Sequence, residues 1–157
     1  MIGNDVIDLA LAEQESNWQR KGFLDKLFTA EEQKLIHQSR YPTEMVWILW
    51  SRKEAVYKII RQQNGARGFY PLQIENIRFK AGQVCFSGQL FHVRTSVEKD
   101  CIHSIALQNQ RFDKVAEVAL PVELLKQNEI PYLCRDGKHI HVSKSHHGRF
   151  EKVVEFQ

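Results

Sequence analysis

Cysteine, proline, methionine and long apolar runs are all scarce in this chain. Three cysteines among 157 residues are an odd number without Cys-x-x-Cys spacing, which argues against a disulfide scaffold and favours reduced thiols. The longest uninterrupted apolar run is the six-residue MVWILW, which is too short to cross a membrane. The opening MIGNDVIDLA carries acids where a signal peptide needs bases. We therefore expect a cytoplasmic protein without a membrane partner.

A strong excess of one charge is also missing. The chain has 22 Lys+Arg against 19 Asp+Glu, a formal net charge of +3, and both signs are scattered along it. This balance permits an anionic ligand or an acidic partner, but we expect no nucleic-acid partner. Hydrophobic residues at 43% and charged residues at 26% are typical of a soluble globular protein. A chain of this length is sufficient for one ordinary domain with a buried core.

Helix signals are concentrated in the first half of the chain. Residues 1–9 alternate and predict a short strand. Thr29 and Glu32 in FTAEEQKLI have the spacing of a capping box, which predicts a helix start. Pro42 opens a long apolar-periodic helix that we expect to end at the glycines of NGARG.

The second half has mainly strand signals. Strands are predicted in LQIENIRF, QVCFSGQLFHVRTSV, CIHSIALQ, KHIHVSKS and RFEKVVEF, and VALPVELLKQNEI indicates a loop and a short helix. Two helices followed by a run of strands indicate an α+β domain with an antiparallel sheet packed against a long helix. We place a faint boundary near residues 111–120, which divides the chain into a core, 1–110, and a C-terminal extension, 111–157.

Carboxylates and a lysine in the first half are candidates for a site. Asp5 and Asp8 lie three residues apart, so they face opposite sides unless the strand ends between them, and both could instead lie on a solvated strand edge. Trp50, Glu54 and Lys58 recur every four residues and share one helix face. Glu54 and Lys58 also have the orientation of a structural ion pair, which stabilises a helix by about 0.2–0.5 kcal/mol.

The stretch VSKSHHGRF, residues 142–150, gathers hydroxyls, histidines, a glycine and cations. A zinc site is conceivable there, but the spacing matches no standard ligand pattern. Ser145 and His146 are adjacent and would point apart on a strand, which is poor geometry for an activated serine nucleophile. Ser, His, Gly and Arg at a turn between strands suit a phosphate instead. The side chains that a zinc site in this region would draw on are Cys134, His139, His141, His146 and His147.

Taken in order, several segments resemble the 4'-phosphopantetheinyl transferase superfamily across roughly residues 1–108. They are IGNDVIDL, FTAEEQKLI, WILWSRKEAVYKI and GFYPLQIENIRF, and the most specific matches are Trp50, Ser51, Lys53, Glu54, Ala55 and Lys58. VSKSHHGRF resembles the S-[IV]-S-H-[ST]-G-R-[WFY] motif of the surfactin-synthetase-type members, with departures at Lys144 and His147. In those members the motif precedes the first strand. Here it comes last, as in a circular permutation or a compact transferase that acquired the motif at its other end.

The resemblance implies transfer of the 4'-phosphopantetheine group of coenzyme A to a serine of an apo acyl- or peptidyl-carrier protein. It implies Mg²⁺ held by Asp5 and Glu54, with Asp8 as a further ligand or an outer group. Ile7 stands where surfactin-type members have a second acid, which would lower the metal affinity. Glu54 would accept the proton of the carrier serine, and Lys58 would contact phosphate. Ser145 and His146 are implied to bind the 3'-phosphate of coenzyme A, with Arg149 or Lys138 as additional cations. The full set implied to bind coenzyme A is Ser145, His146, Lys58, Arg149, Lys138 and Lys53.

Two rival interpretations remain. One is a protein of the same fold that binds coenzyme A without transferring anything. The other is a small basic module that binds RNA or an acidic protein through its histidine- and lysine-rich tail. The tail completes either its own chain's site, beside the first strand, or a neighbour's by swapping, and we expect its own. The resemblance allows a monomer or a small homo-oligomer.

Overall fold

A computed structural model describes residues 1–65 and 67–157, and within these ranges four α-helices accompany two five-stranded antiparallel sheets. The helices are α1 (Leu9–Glu15), α2 (Phe23–Leu27), α3 (Ala30–Gln38) and α4 (Pro42–Asn64). The strands are β1 (Ile2–Asp8), β2 (Ile74–Arg78), β3 (Gln83–Phe86), β4 (Gln89–Glu98), β5 (Cys101–Leu107), β6 (Val115–Glu117), β7 (Leu125–Gln127), β8 (Ile130–Arg135), β9 (Lys138–His147) and β10 (Phe150–Phe156). The α+β prediction is confirmed. None of the helices among the described residues has the length and apolar character needed to span a bilayer.

Local signals set the helix limits as predicted. The Thr29 hydroxyl accepts a hydrogen bond from the Glu32 amide, and the Glu32 carboxylate accepts one from the Thr29 amide, which completes the capping box. Pro42 stands in the first turn of α4, where its missing N–H costs nothing. Gly65 ends the helix with a φ of 66°, a left-handed conformation that favours glycine.

The first sheet has the order β1-β5-β4-β3-β2 and packs against α4. Its edge strand β1 approaches the helix so closely that a Cβ added to Gly3 would overlap the carbonyl oxygen of Ala55. Glycine is needed there because no side chain fits between the two backbones. This close contact brings the polar residues of β1 to the helix face that carries Glu54 and Lys58.

The second sheet, of order β6-β10-β9-β8-β7, is drawn from residues 115–156. The short helix predicted in VALPVELLKQNEI is wrong, because Leu125–Gln127 pair with β8 as strand β7. Asn128 and Glu129 form the turn with φ of 52° and 64°, and two left-handed residues match the twist of a two-residue hairpin. The division into 1–110 and 111–157 stays a prediction.

Side chains of β9 join the second sheet to the free edge of β1. Ser143 Oγ accepts a hydrogen bond from the Asn4 amide at 2.9 Å, and Ser145 Oγ accepts one from the Val6 amide at 3.0 Å. The third bond runs from the Asp8 amide to His147 Nδ1 at 2.9 Å. We call these three bonds the side-chain seam. Alternate residues of β9 face one way, so they match the alternate outward N–H groups of β1.

Candidate active site

Lys58 links three elements at the middle of the molecule. Its ammonium donates hydrogen bonds to the carbonyl oxygens of Asn4 at 2.6 Å and Lys144 at 3.2 Å. Its nitrogen also lies 3.7 Å from Oδ1 of Asp5. Burial lowers the pKa of Lys58, while the nearby carboxylates of Asp5 and Glu54 oppose that shift. The predicted proximity of Asp5, Glu54 and Lys58 is therefore present.

The carboxyl groups of Asp5 and Glu54 both have raised pKa values in this site. Asp5 Oδ1 accepts a hydrogen bond from Ser145 Oγ at 3.0 Å, whereas its buried Oδ2 has no hydrogen-bond partner among the described residues. Burial raises the pKa of Asp5, against the opposing effect of Lys58. Burial, followed by the charge of Asp5, raises the pKa of Glu54 to about 7. For both acids the effect of burial therefore exceeds the opposing effect of the Lys58 charge.

Asp5 and Glu54 both line a cavity of about 390 Å³, which we call the active cleft. Its apolar wall contains Trp47 and Trp50, and His146 lies on its rim as an exposed side chain. Among the residues that the structure describes, no lysine or arginine lines this cleft. The charged side chains of the cleft are therefore carboxylates among apolar residues, and the nearest lysine, Lys58, lies beside Asp5 outside the cleft lining.

Ser145 lies in the site, but its contacts differ from the predicted ones. The residue is 6% exposed, and its hydroxyl is occupied by the Val6 amide and the Asp5 carboxylate. Because a hydroxyl has one proton and the amide already uses an Oγ lone pair, that proton points at Asp5. Ser145 therefore positions Asp5, and it has no free donor for a phosphate.

Asp8 and Arg149 bind each other. Arg149 donates to the Asp8 carboxylate from its amide at 3.0 Å, from Nε at 2.8 Å and from Nη2 at 2.8 Å, and it also reaches Asp100 at 3.2 Å. The Asp8 side chain is 2% exposed and also caps α1 at the Leu11 amide. Arg149 accordingly lowers the pKa of Asp8. The metal role of Asp8 and the phosphate role of Arg149 stay predictions, and in this structure the two side chains are paired with each other.

Lys53 and Lys138 lie away from the cleft. The Lys53 side chain is fully buried, 2.7 Å from Glu32, and its ammonium also donates to two carbonyl oxygens. It has no exposed surface with which to reach a ligand. Lys138 begins β9, seven residues before Ser145, which is roughly 23 Å along an extended strand. The coenzyme A contacts of Lys53 and Lys138 stay predictions that these positions do not favour.

Sequence reasoning missed the roles of Ser143 and His147. His147 Nδ1 accepts from the Asp8 amide, so its Nε2 carries the ring proton that faces Glu15 at 3.2 Å. Ser143, Ser145 and His147 are alternate residues, and Asn4, Val6 and Asp8 are alternate residues too. That shared spacing was visible, but it acquires meaning only once β9 is known to lie beside β1.

Comparisons with known proteins identify the family of this chain. The family model of the 4'-phosphopantetheinyl transferase superfamily matches residues 1–116. A search of the curated proteins finds no match. The range 1–116 contains Asp5, Glu54 and Lys58, whereas Ser145 and His146 lie beyond it.

Two solved structures are similar to this chain. Holo-[acyl-carrier-protein] synthase from Neisseria meningitidis has a TM-score of 0.55 and 18% identity, over 67% of this chain and 94% of that one. The same enzyme from Helicobacter pylori, solved in complex with coenzyme A, has a TM-score of 0.55 and 18% identity, over 68% and 98%. At this identity the similarity establishes a shared fold.

Proposed function

Because the chain belongs to the 4'-phosphopantetheinyl transferase superfamily, we propose that it transfers phosphopantetheine from coenzyme A to a serine of an apo acyl- or peptidyl-carrier protein, with Mg²⁺. The observation that carries the proposal is the presence of two carboxylates, the buried Asp5 and the half-buried Glu54, in one cleft next to the ammonium of Lys58. Coenzyme A in the similar Helicobacter pylori enzyme supports it as the donor. Cytoplasmic location, the lack of a nucleic-acid or membrane partner, and a monomer or small homo-oligomer stay predictions.

The residues present fit a magnesium ion. Oδ2 of Asp5 is a buried oxygen without a partner, and the negative charge of Asp5 raises the pKa of Glu54, so a cation between them would satisfy both. No cluster of three or more His, Cys, Asp or Glu side chains suited to a metal occurs in residues 1–65 and 67–157. Mg²⁺ is typically held by one or two carboxylates together with substrate phosphates and waters, so two protein ligands suffice. When bound, the ion would neutralise the pyrophosphate and the charge that builds on the leaving phosphate.

Two further side chains of this chain would bind the phosphates and accept the serine proton in the transfer reaction. Lys58 supplies a positive charge for the phosphates. Glu54 is the acid of the cleft that accepts the proton of the carrier serine. The serine oxygen of the carrier protein forms the new bond to the phosphorus that carries the pantetheine arm. The bond to the adenosine 3',5'-bisphosphate oxygen breaks, and the serine proton goes to Glu54.

His146 is the residue of the tail motif that lines the active cleft with an exposed side chain, and in this proposal it contacts the pyrophosphate of coenzyme A and not the 3'-phosphate. It is exposed on the rim of the active cleft, where its ring can donate to a phosphate oxygen. The nucleophile comes from the carrier protein, so the enzyme needs no activated serine of its own. This agrees with the poor geometry of Ser145 and His146 for a nucleophile and its base.

The proposal is tested by intact mass spectrometry of the carrier protein. We expect apo carrier proteins of fatty-acid, polyketide or peptide synthesis to gain one phosphopantetheine group with coenzyme A and Mg²⁺, and to gain nothing with a chelator. Glu54→Gln should lower the rate by about 10²–10⁴-fold, the usual effect of losing a general base. Glu13→Gln, on the exposed side of α1, is the matched control and should retain the rate.

The rival interpretations predict different results. A protein that only binds coenzyme A would bind it with no mass gain on any carrier, and that outcome with folded protein would end the transferase proposal. A basic binding module would show a steep salt dependence, no metal requirement and no response to Glu54→Ala.

A further inference from the structure

Lys58 also lines a second cavity, which we call the hairpin pocket. It has a volume of about 470 Å³ and lies between the C-terminal half of α4, the β7–β8 hairpin and β9. Its cations are Lys58, Arg61, Lys126 and Lys144, and Glu129 is the only acid that lines it among the described residues. The active cleft, in contrast, contains acids and no lysine or arginine from that part of the chain. The two cavities, of which only the hairpin pocket is lined by Lys58, therefore have opposite charge.

The positive charge of the hairpin pocket is only partly neutralised within the chain. Lys144 forms an ion pair with Glu151 at 2.7 Å, and Lys126 lies 4.0 Å from Glu129. No hydrogen bond or ion pair joins the Arg61 guanidinium to another described residue. An anionic group that enters the pocket would meet a planar cation that is not already paired with a carboxylate, an arrangement that favours phosphate.

The hairpin also supplies an apolar surface to the pocket. Leu124 and Val122 precede β7, and Ile130 and Pro131 begin β8 on the other side of the turn. Apolar side chains next to cations suit a ligand that has a flat ring as well as a phosphate. A polyanion with no apolar part would leave this wall unused.

Geometry along α4 connects the pocket to the reacting centre. Arg61 lies seven residues after Glu54, which is about 11 Å along a helix axis. Lys58 lies between them and contacts Asp5. One extended nucleotide unit can bridge this separation, so a ligand whose pyrophosphate lies at Lys58 can place one end in each cavity.

We propose that coenzyme A lies across Lys58 with its 3'-phosphoadenosine end in the hairpin pocket and its pantetheine arm toward the active cleft. Arg61 and Lys126 bind the 3'-phosphate, and the apolar hairpin wall receives the adenine. This assignment rests on the proposed function. It moves the 3'-phosphate away from Ser145, whose hydroxyl is already occupied by Asp5 and Val6. The neutral pantetheine arm lies in the cleft whose acids would repel the anionic end.

The experiment compares coenzyme A with dephospho-coenzyme A, which lacks only the 3'-phosphate. We expect the wild-type protein to prefer coenzyme A in kcat/KM, and Arg61→Gln and Lys126→Gln each to reduce that preference by roughly tenfold or more, as for a lost hydrogen bond to a charged group. Lys80→Gln, in the β2–β3 turn of the other sheet, is the matched control and should leave the preference unchanged. Titration calorimetry with adenosine 3',5'-bisphosphate and with adenosine 5'-monophosphate gives a second readout without a carrier protein.

Failure of this inference is distinguishable from failure of the proposed function. A wild-type protein that uses both donors equally, or variants that keep the full preference for coenzyme A, would overturn the inference while transfer itself stands. No transfer from either donor would overturn the proposed function. In that case, equal calorimetric affinities of the wild type and Arg61→Gln for adenosine 3',5'-bisphosphate would overturn the inference as well, whereas weaker binding by the variant would support it.

Discussion

At the scale of single residues, Ser145 explains how a tail motif takes part in a site built by the first half of the chain. Its hydroxyl accepts from the Val6 amide and donates to Asp5 Oδ1, so it orients one carboxylate oxygen and leaves Oδ2 without a partner. A carboxylate held in this way is ready to bind a cation on its free side. Groups that orient a metal ligand typically change metal affinity by 10–100-fold when removed.

Ser145→Ala and Ser143→Ala form a matched pair. Each removes one bond of the side-chain seam and leaves a buried β1 amide without its acceptor, so each should lower the free energy of unfolding by about 1–3 kcal/mol. Ser145 alone contacts Asp5, so Ser145→Ala alone should raise the Mg²⁺ concentration for half-maximal transfer, by about tenfold or more. Ser145→Thr should restore it. Equal Mg²⁺ requirements in the two alanine variants would contradict the positioning role.

Glu54 gives a pH-dependent prediction for the metal-free protein. Its folded pKa of about 7 exceeds its ordinary value of 4.5, so the folded state holds the proton more tightly than the unfolded state. The resulting stabilisation is fully present below pH 4.5 and is lost as the pH rises through 7. Glutamine does not ionise. The free energy of unfolding of Glu54→Gln should therefore equal that of the wild type at pH 4 and exceed it at pH 8 by up to about 3 kcal/mol.

Denaturant unfolding with a chelator at the two pH values measures this difference, and Glu13→Gln serves as the exposed control. If the difference in the free energy of unfolding between Glu54→Gln and the wild type does not grow from pH 4 to pH 8, the pKa of Glu54 is not raised in the folded protein.

At the scale of elements, the long helix separates neighbouring motif residues into different roles. Lys53 and Glu54 are adjacent, but successive helix residues point about 100° apart, so Lys53 enters the core and Glu54 faces the cleft. Lys53 there pairs with Glu32, which also caps α3 and accepts from the Asn76 amide. A single buried carboxylate thus joins α3, α4 and β2. The motif therefore stabilises the fold through Lys53 and contributes Glu54 to the proposed site.

Glu32→Gln should destabilise the fold strongly, since it leaves the Lys53 ammonium buried without its counter-charge. Breaking a buried pair typically costs about 3–5 kcal/mol. Glu31→Gln is the matched control on the same helix, because the Glu31–Lys34 pair is exposed and contributes about 0–1 kcal/mol. Thermal unfolding of both variants measures the contrast. Equal melting temperatures would mean that the Lys53–Glu32 pair does not hold the helices together.

At the scale of the whole molecule, features encoded by near neighbours were predictable and features encoded by distant pairs were not. The capping box of α3, the limits of α4 and the strand nature of residues 138–147 follow from spacing within a few residues. Strand β7 was missed because its short sequence also fits a helix turn, and only pairing with β8 decides between them.

The candidate site shows the same division. Asp5, Glu54 and Lys58 could be predicted because the family pattern lies within the matched residues 1–116. The pairing of Asp8 with Arg149 could not, since it joins residues 141 positions apart. It depends on β9 lying beside β1, as does the contact of Ser145 with Asp5. No local pattern in VSKSHHGRF predicts which strand this segment will contact.

The central claim is that Asp5 and Glu54 together bind one metal ion, and Mn²⁺ binding tests this claim most directly. Electron paramagnetic resonance of Mn²⁺ added in the presence of coenzyme A should show one bound ion per wild-type chain. Binding should be lost in both Asp5→Asn and Glu54→Gln and retained in Glu13→Gln. A tightly bound Mn²⁺ that survives in either Asp5→Asn or Glu54→Gln would contradict the account.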